Sequence, residues 1–197
     1  MTIMVSNGQL RTPTGMKVAP TSYKKLEALA DALRPILPVV CNKTAPYKLD
    51  ARRLLEETLP RAGFQYVISH VSALDECAGF TIPERNIVVI REDIYDGLFT
   101  DQPFSRSTVV HEFAHIALNH AATLHRGVVH GEHKFFEDSE WQAKALTAAL
   151  MMPVNAVAQA GSANDLSTLC GTSNEAASYR LTRLAKEGLV SPQNKLL

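Results

Sequence analysis

The chain has 197 residues, 46% of them hydrophobic, and its 20 Lys and Arg balance 20 Asp and Glu. That length can bury a sizeable core, and the zero net charge withholds the basic excess with which nucleic-acid binders neutralise phosphates. Cys41, Cys77 and Cys170 lie far apart and form no C-x-x-C pair, so neither a disulfide framework nor a thiolate zinc site is expected. They read instead as buried or partly buried thiols in a reducing compartment. No apolar run reaches the roughly 18 residues of a membrane span, and the N-terminus lacks a signal-peptide core, so the expected location is the cytoplasm.

Residues 1–21 are polar and punctuated by Pro13, Gly15 and Pro20, which predicts a flexible N-terminal tail. From Ser22 the residues Leu26, Leu29, Ala30 and Leu33 fall at helical spacing, with Pro35 and Pro38 as the stop. A second helix is expected from Asp50, a capping residue, to the breaker at Pro60 to Gly63. FQYVISHV (64–71) reads as a strand, and AGFTI (78–82) and IVVI (87–90) flank PERN as a hairpin. A short amphipathic piece covers Ile94 to Phe99.

Helices follow over 107–124, with Ser107 as N-cap, and over 138–152. The second opens with a Ser139-x-x-Gln142 capping box and stops at Pro153. Two short helices around Gly171 and a strand-like end complete the chain. Helices, a small sheet, then helices make an α+β fold. The expected divisions are the tail (1–21), a main domain (22–160) and a C-terminal subdomain (161–197).

His111-Glu112-Phe113-Ala114-His115 is an H-E-x-x-H motif. Residues four apart on a helix lie about 40° from each other on one face, so two imidazoles can reach one metal ion. Glu112 sits beside that ion, placed to take a proton from water. With 7 His in the chain, composition alone yields roughly 0.015 such motifs. The surrounding Val109, Val110, Phe113, Ala114 and Ile116 predict a largely buried helix, in which two paired imidazoles need something to satisfy them.

A catalytic zinc usually has three protein ligands and an open position. The longer H-E-x-x-H-x-x-G-x-x-H pattern fails, because Leu118 and Ala121 occupy its last two fixed positions. His120 falls about 180° round the helix from His111 and reads as a surface histidine. Glu140, in the first turn of the next helix, is the best-placed third ligand, with Glu137, Asp138, His130 and His133 as competitors. Glu137 and Asp138 also suit a helix N-terminus for its dipole alone, and His130 and His133 also suit the lining of a cleft.

Four segments resemble the ImmA/IrrE family of zinc metallopeptidases: AGFTIPERNIVVIREDIYDGLF, STVVHEFAH, the EWQA helix ending in LMMP, and a helix-turn-helix-like tail. They run in the family's order from about Tyr23 to Val190. The resemblance implies a zincin-like, thermolysin-type core with a C-terminal helix-turn-helix-like segment. It implies one zinc per chain on His111, His115 and Glu140, with Glu112 as general base. It also implies a cytosolic endopeptidase acting on a protein substrate, typically a helix-turn-helix repressor encoded nearby. Cleavage would release mobile-element, phage or stress genes. The chain departs from the family where Asp or Asn commonly follows the glutamate ligand by four residues. Lys144 stands there and cannot accept a hydrogen bond from a ligand histidine.

In the expected mechanism Glu112 takes the proton of a zinc-activated water and passes it to the leaving amine. Ile87 to Ile90 offers a possible edge for an extended substrate, and His130, His133 and Tyr179 are the choices for stabilising the oxyanion. The rival reading is a regulatory protein- or DNA-binding module with a structural or degenerate zinc site, using Tyr179, Arg180 and Arg183. The net charge of +1 from residue 161 onward makes direct nucleic-acid binding the weaker expectation. Another zinc hydrolase, such as an amidase, shares H-E-x-x-H but leaves the EWQA to LMMP segment unexplained.

Overall fold

The computed structural model describes residues 4–6, 9–11, 14–74, 77–120 and 133–190. Two short antiparallel strands come first, β1 (Met4–Ser6) and β2 (Gln9–Arg11). Ser22 then caps α1 (Tyr23–Leu33), its hydroxyl accepting from the Lys25 amide, and Leu26 and Ala30 are buried as their spacing requires. Pro35 lies in a single 3-10 turn, Arg34–Ile36. Asp50 caps α2 (Ala51–Arg53).

The helix ends, as expected, within the segment from Pro60 to Gly63. It widens into a π-helical stretch, Leu54–Thr58, and closes as α3 (Leu59–Arg61). Proline has no amide hydrogen and its ring crowds the preceding turn, and a wider turn relieves both.

The sheet comprises β3 (Gln65–Ser69), β4 (Gly79–Ile82) and β5 (Ile87–Arg91), with a short α4 (Val71–Leu74) after β3. β4 and β5 form the expected hairpin, Ile82 opposite Ile87, through a turn that puts Asn86 at φ 52°. β3 pairs with β5 in parallel, so the order is β3-β5-β4. This overturns the expectation that Ile87 to Ile90 offers an edge. β5 is the central strand and Val88, Val89 and Ile90 are buried, which is what an unbroken apolar run signifies. The edge strands are β3 and β4.

Next come α5 (Glu92–Phe99) and α6 (Pro103–Ala117). Ser107 is not the N-cap of α6: the helix begins at Pro103, where a missing amide hydrogen costs nothing, and Ser107 donates to the Phe104 carbonyl. The helix ends as Asn119 takes a left-handed φ of 51°. In α7 (Ser139–Met151) the cap is Asp138 rather than Ser139, its carboxylate accepting from the Trp141 amide at 2.8 Å. α8 (Val154–Gln159), α9 (Ala163–Cys170) and α10 (Asn174–Lys186) follow Pro153, the last two joined through Gly171 at φ 63°. The strand-like end is not seen among the described residues.

One core runs through all of this. Leu54 and Leu55, Val88 and Ile90 of β5, Val109 and Val110 of α6, Leu146 and Leu150 of α7, Leu166 of α9 and Leu184 of α10 belong to it. Residues beyond 160 therefore share the interior of the main domain. Two buried arginines bind the ends of the chain to its middle. Arg106 of α6 donates to the carbonyls of Cys170 and Gly171 at the end of α9. Arg180 of α10 grips Glu27 of α1 with both terminal nitrogens, at 2.5 and 2.7 Å, and donates to the Met152 carbonyl. Cys41 and Cys77 are exposed and only Cys170 is buried, which corrects the expectation of three sequestered thiols. Among the described residues no helix is long and apolar enough to cross a membrane.

From residue 14 onward the segment read as a tail is strapped along the start of α7. The Gly15 amide donates to Asp138 at 2.8 Å and the Met16 amide to Ser139 at 3.0 Å, while the Val18 amide reaches the Glu137 carbonyl at 2.7 Å. Gly15 lies so close that a Cβ there would stand 2.6 Å from the Glu140 amide nitrogen. Gly15→Val is therefore expected to cost about 1–3 kcal/mol by overpacking, read as a lower midpoint of urea unfolding. Glu27→Ala leaves Arg180 buried without its partner and is expected to cost about 3–5 kcal/mol. The double replacement Glu27→Leu with Arg180→Met should cost much less. Equal losses in the two would mean that packing, not charge, sets the effect.

Candidate metal centre

Helical spacing puts His111 and His115 on one face of α6, and the packing of α6 on α7 brings Glu140 opposite them. The Nε2 atoms of the two histidines are 3.2 Å apart. His111 Nε2 lies 3.3 Å from Glu140 Oε2, and His115 Nε2 lies 3.2 Å from Glu140 Oε1. Among the described residues these three form the group able to hold a metal ion. A tetrahedral ion with ligands at about 2.0–2.1 Å sets its ligand atoms about 3.3 Å apart, so the spacing found fits a bound metal ion. All three side chains present acceptor atoms to a common point, the donor set of nitrogen and carboxylate oxygen that zinc takes.

Glu112 stands beside this group. It is 5% exposed, and its Oε2 accepts a 2.8 Å hydrogen bond from the Thr81 hydroxyl on β4. Burial raises its pKa above the ordinary carboxylate value, against the opposing pull of the Thr81 bond and of His111 and His115.

His120 is not a surface residue. It is 4% exposed, with Nδ1 2.9 Å from His115 Nδ1 and Nε2 3.2 Å from Gln142 Oε1. Burial pushes its pKa down to about 4. The helical-wheel argument failed because α6 stops at Ala117 and the left-handed Asn119 turns the chain back beneath it.

The remaining sequence candidates divide clearly. His133 is buried against Asp138, Nε2 to Oδ2 at 2.9 Å, away from the cleft. Asp138 serves as cap and strap anchor, and Glu137 accepts from the Lys134 amide. Tyr179 is 53% exposed and outside the cleft lining. His130 lies outside the described residues. Lys144 is exposed and reaches Glu140 Oε2 at 3.9 Å, a contact of little energetic weight in water. Sequence reasoning missed Thr81, whose only signal was a hydroxyl between Phe80 and Ile82 in an otherwise apolar strand.

The centre opens into a cleft of about 1040 Å³. β4 forms one side of it, and Met151, Met152, Ser173 and Ala176 form another, so the C-terminal helices help to build its wall.

Comparison with known proteins fits this arrangement. The model of the IrrE N-terminal-like domain, a peptidase family, matches residues 100–182, a stretch holding both α6 and α7. No curated protein matches. Among solved structures, a Mycobacterium tuberculosis transcriptional regulator superposes with a TM-score of 0.53 at 15% identity, over 80% of this chain and 46% of that one. At such identity the likeness is one of fold, and this chain spans less than half of that protein's length. The match over residues 100–182 supports membership of the ImmA/IrrE family of peptidases.

Proposed function

We propose that the protein is a zinc-dependent endopeptidase in which His111, His115 and Glu140 hold the metal and Glu112 is the general base. The observation that carries this reading is the convergence of those three ligand atoms beside a buried carboxylate. A zinc ion in that place supplies Lewis acidity, polarising the attacking water and the scissile carbonyl. Glu112 takes the proton from that water and gives it to the leaving amine. Burial suits it to both steps, because a carboxylate of raised pKa is a stronger base. The Thr81 hydroxyl fixes which oxygen faces the water.

The free edge of β4 lines the cleft, so an extended peptide can add to it as a further strand. Phe80, Pro83, Phe104 and Met151 make the surroundings apolar, which favours substrates with apolar side chains near the scissile bond. Lys144 also faces the cleft, and its ammonium is the group we assign to the developing oxyanion, in place of His133 and Tyr179. The resemblance to the family supports a single protein substrate, a helix-turn-helix repressor, whose cleavage would relieve repression. The rival DNA-binding reading needs Arg180, which is buried on Glu27.

Metal analysis of purified wild type and Glu140→Ala is the first test. About one zinc per chain in wild type and much less in the variant is the expected result. Glu112→Gln should keep its zinc yet cleave a peptide library at least about 10²-fold more slowly. Cleavage by Glu112→Gln at the wild-type rate would sink the mechanism. Absence of zinc in wild type, with DNA retention that falls steeply with salt, would favour the regulatory module.

A further inference from the structure

We infer that His120 and Gln142 are positioning residues for the metal ligand His115, selecting the one tautomer of its ring that can bind zinc. The inference rests on the metal-centre reading above, but its main evidence is hydrogen bonding among buried groups of the chain itself.

The chain of contacts starts at Gln142, which is 3% exposed. Its amide nitrogen lies 2.8 Å from the carbonyl of Ala19 and 2.8 Å from that of Phe136. Carbonyl oxygens only accept, so the two amide hydrogens must point at them and the orientation of the amide is fixed. Gln142 Oε1 therefore faces His120 Nε2, at 3.2 Å. That oxygen also only accepts, so the hydrogen of the neutral His120 ring sits on Nε2. His120 Nδ1 is left with a lone pair. It lies 2.9 Å from His115 Nδ1, and a hydrogen bond at that distance needs a proton between them, which must come from His115. With its hydrogen on Nδ1, His115 keeps the lone pair on Nε2, the atom that faces His111 and Glu140.

Two backbone carbonyls, one in the N-terminal strap and one in the turn before α7, thus dictate which nitrogen of His115 is free to bind a metal. The wrong tautomer would aim an N–H at the ion. A ligand histidine generally needs such a partner on its other nitrogen, and loss of the partner typically costs 10–100-fold in metal affinity. Lys144, exposed and with donors only, offers no acceptor. The left-handed turn at Asn119 delivers His120 to the place required.

The test uses full-length protein in three forms. His120→Phe keeps the ring volume and removes the acceptor; His120→Asn restores an oxygen near the position of Nδ1. Zinc affinity is read by competition with a chromophoric chelator, and the visible absorption of the cobalt-loaded protein reports ligand geometry. Unfolding of the metal-free protein is the control for packing. The expected result is a 10–100-fold weaker zinc affinity and altered cobalt bands in His120→Phe, both largely restored in His120→Asn. Nitrogen-15 spectra should show His120 protonated on Nε2 with and without metal, and His115 protonated on Nδ1 alone once zinc is bound. Unchanged zinc affinity in His120→Phe, or the opposite pair of tautomers, would overturn the inference. So would a loss that follows the unfolding midpoint and is not rescued by Asn. If wild type binds no zinc although His120 is protonated on Nε2 as stated, the endopeptidase reading fails and not the hydrogen-bond assignment at His120.

Discussion

Under the metal-centre reading, three ligand atoms from two separate helices must meet within the radius of one ion, and most of the structure can be understood as holding α6 and α7 to that requirement. His111 and His115 are matched to each other by helical pitch alone. Glu140 is matched to them only through packing. The two helices are buried on much of their circumference, and Ala114 and Ala143, both fully buried, keep the bulk of their side chains small. Glu140 also lies in the first turn of α7, where the helix dipole favours a negative charge. Asp138, the strap at Gly15 and Met16, and the turn Phe135–Glu137 fix the start of that turn. A displacement of about 1 Å there would leave a two-ligand site, which is too few for a catalytic zinc.

Around this seam the buried polar groups form a connected set. Thr81 ties Glu112 to the sheet, His120 and Gln142 tie His115 to the strap, and Arg180 and Glu27 tie the last helix to the first. Each link joins elements distant in sequence, and each would be costly to leave half made. The C-terminal helices belong to this scheme: Ser173 and Ala176, around the start of α10, complete the cleft wall, and α9 and α10 share the core.

Local signals in the sequence were sufficient for much of this. Ser22 and Asp50 mark helix starts, PERN marks the hairpin, and H-E-x-x-H states its own geometry, because in each the physics lies within a few neighbouring residues. Several of the failures are cases in which a distant segment decides. The sequence left β5 open between an edge and an ordinary strand, because nothing in IVVI names β3 as its parallel neighbour, although the missing polar alternation is a hint that both faces are covered. Arg180 could not be told from an exposed cation without Glu27, 153 positions away. His120 was misplaced by extending the helix through Asn119, a residue type that tolerates the left-handed conformation and ends helices. A place in a first turn favours Glu140 as a candidate ligand, but only the packing of α6 on α7, which brings its carboxylate to the two histidines, separates it from Glu137 and Asp138.

The strap has a consequence for how the protein comes into being on the ribosome. Gly15 and Met16 bond to residues 123 positions later in the chain, so the strap has nothing to hold until α7 has been made. The H-E-x-x-H helix emerges complete well before that, with two imidazoles but no buttressed carboxylate. Contacts of such sequence separation form late, because closing a long loop costs entropy before the contact returns any. Under the metal-centre reading, the nascent chain cannot hydrolyse anything while it is being synthesised, its own unfolded portions included. Destructive chemistry is withheld until the fold that confines it is finished.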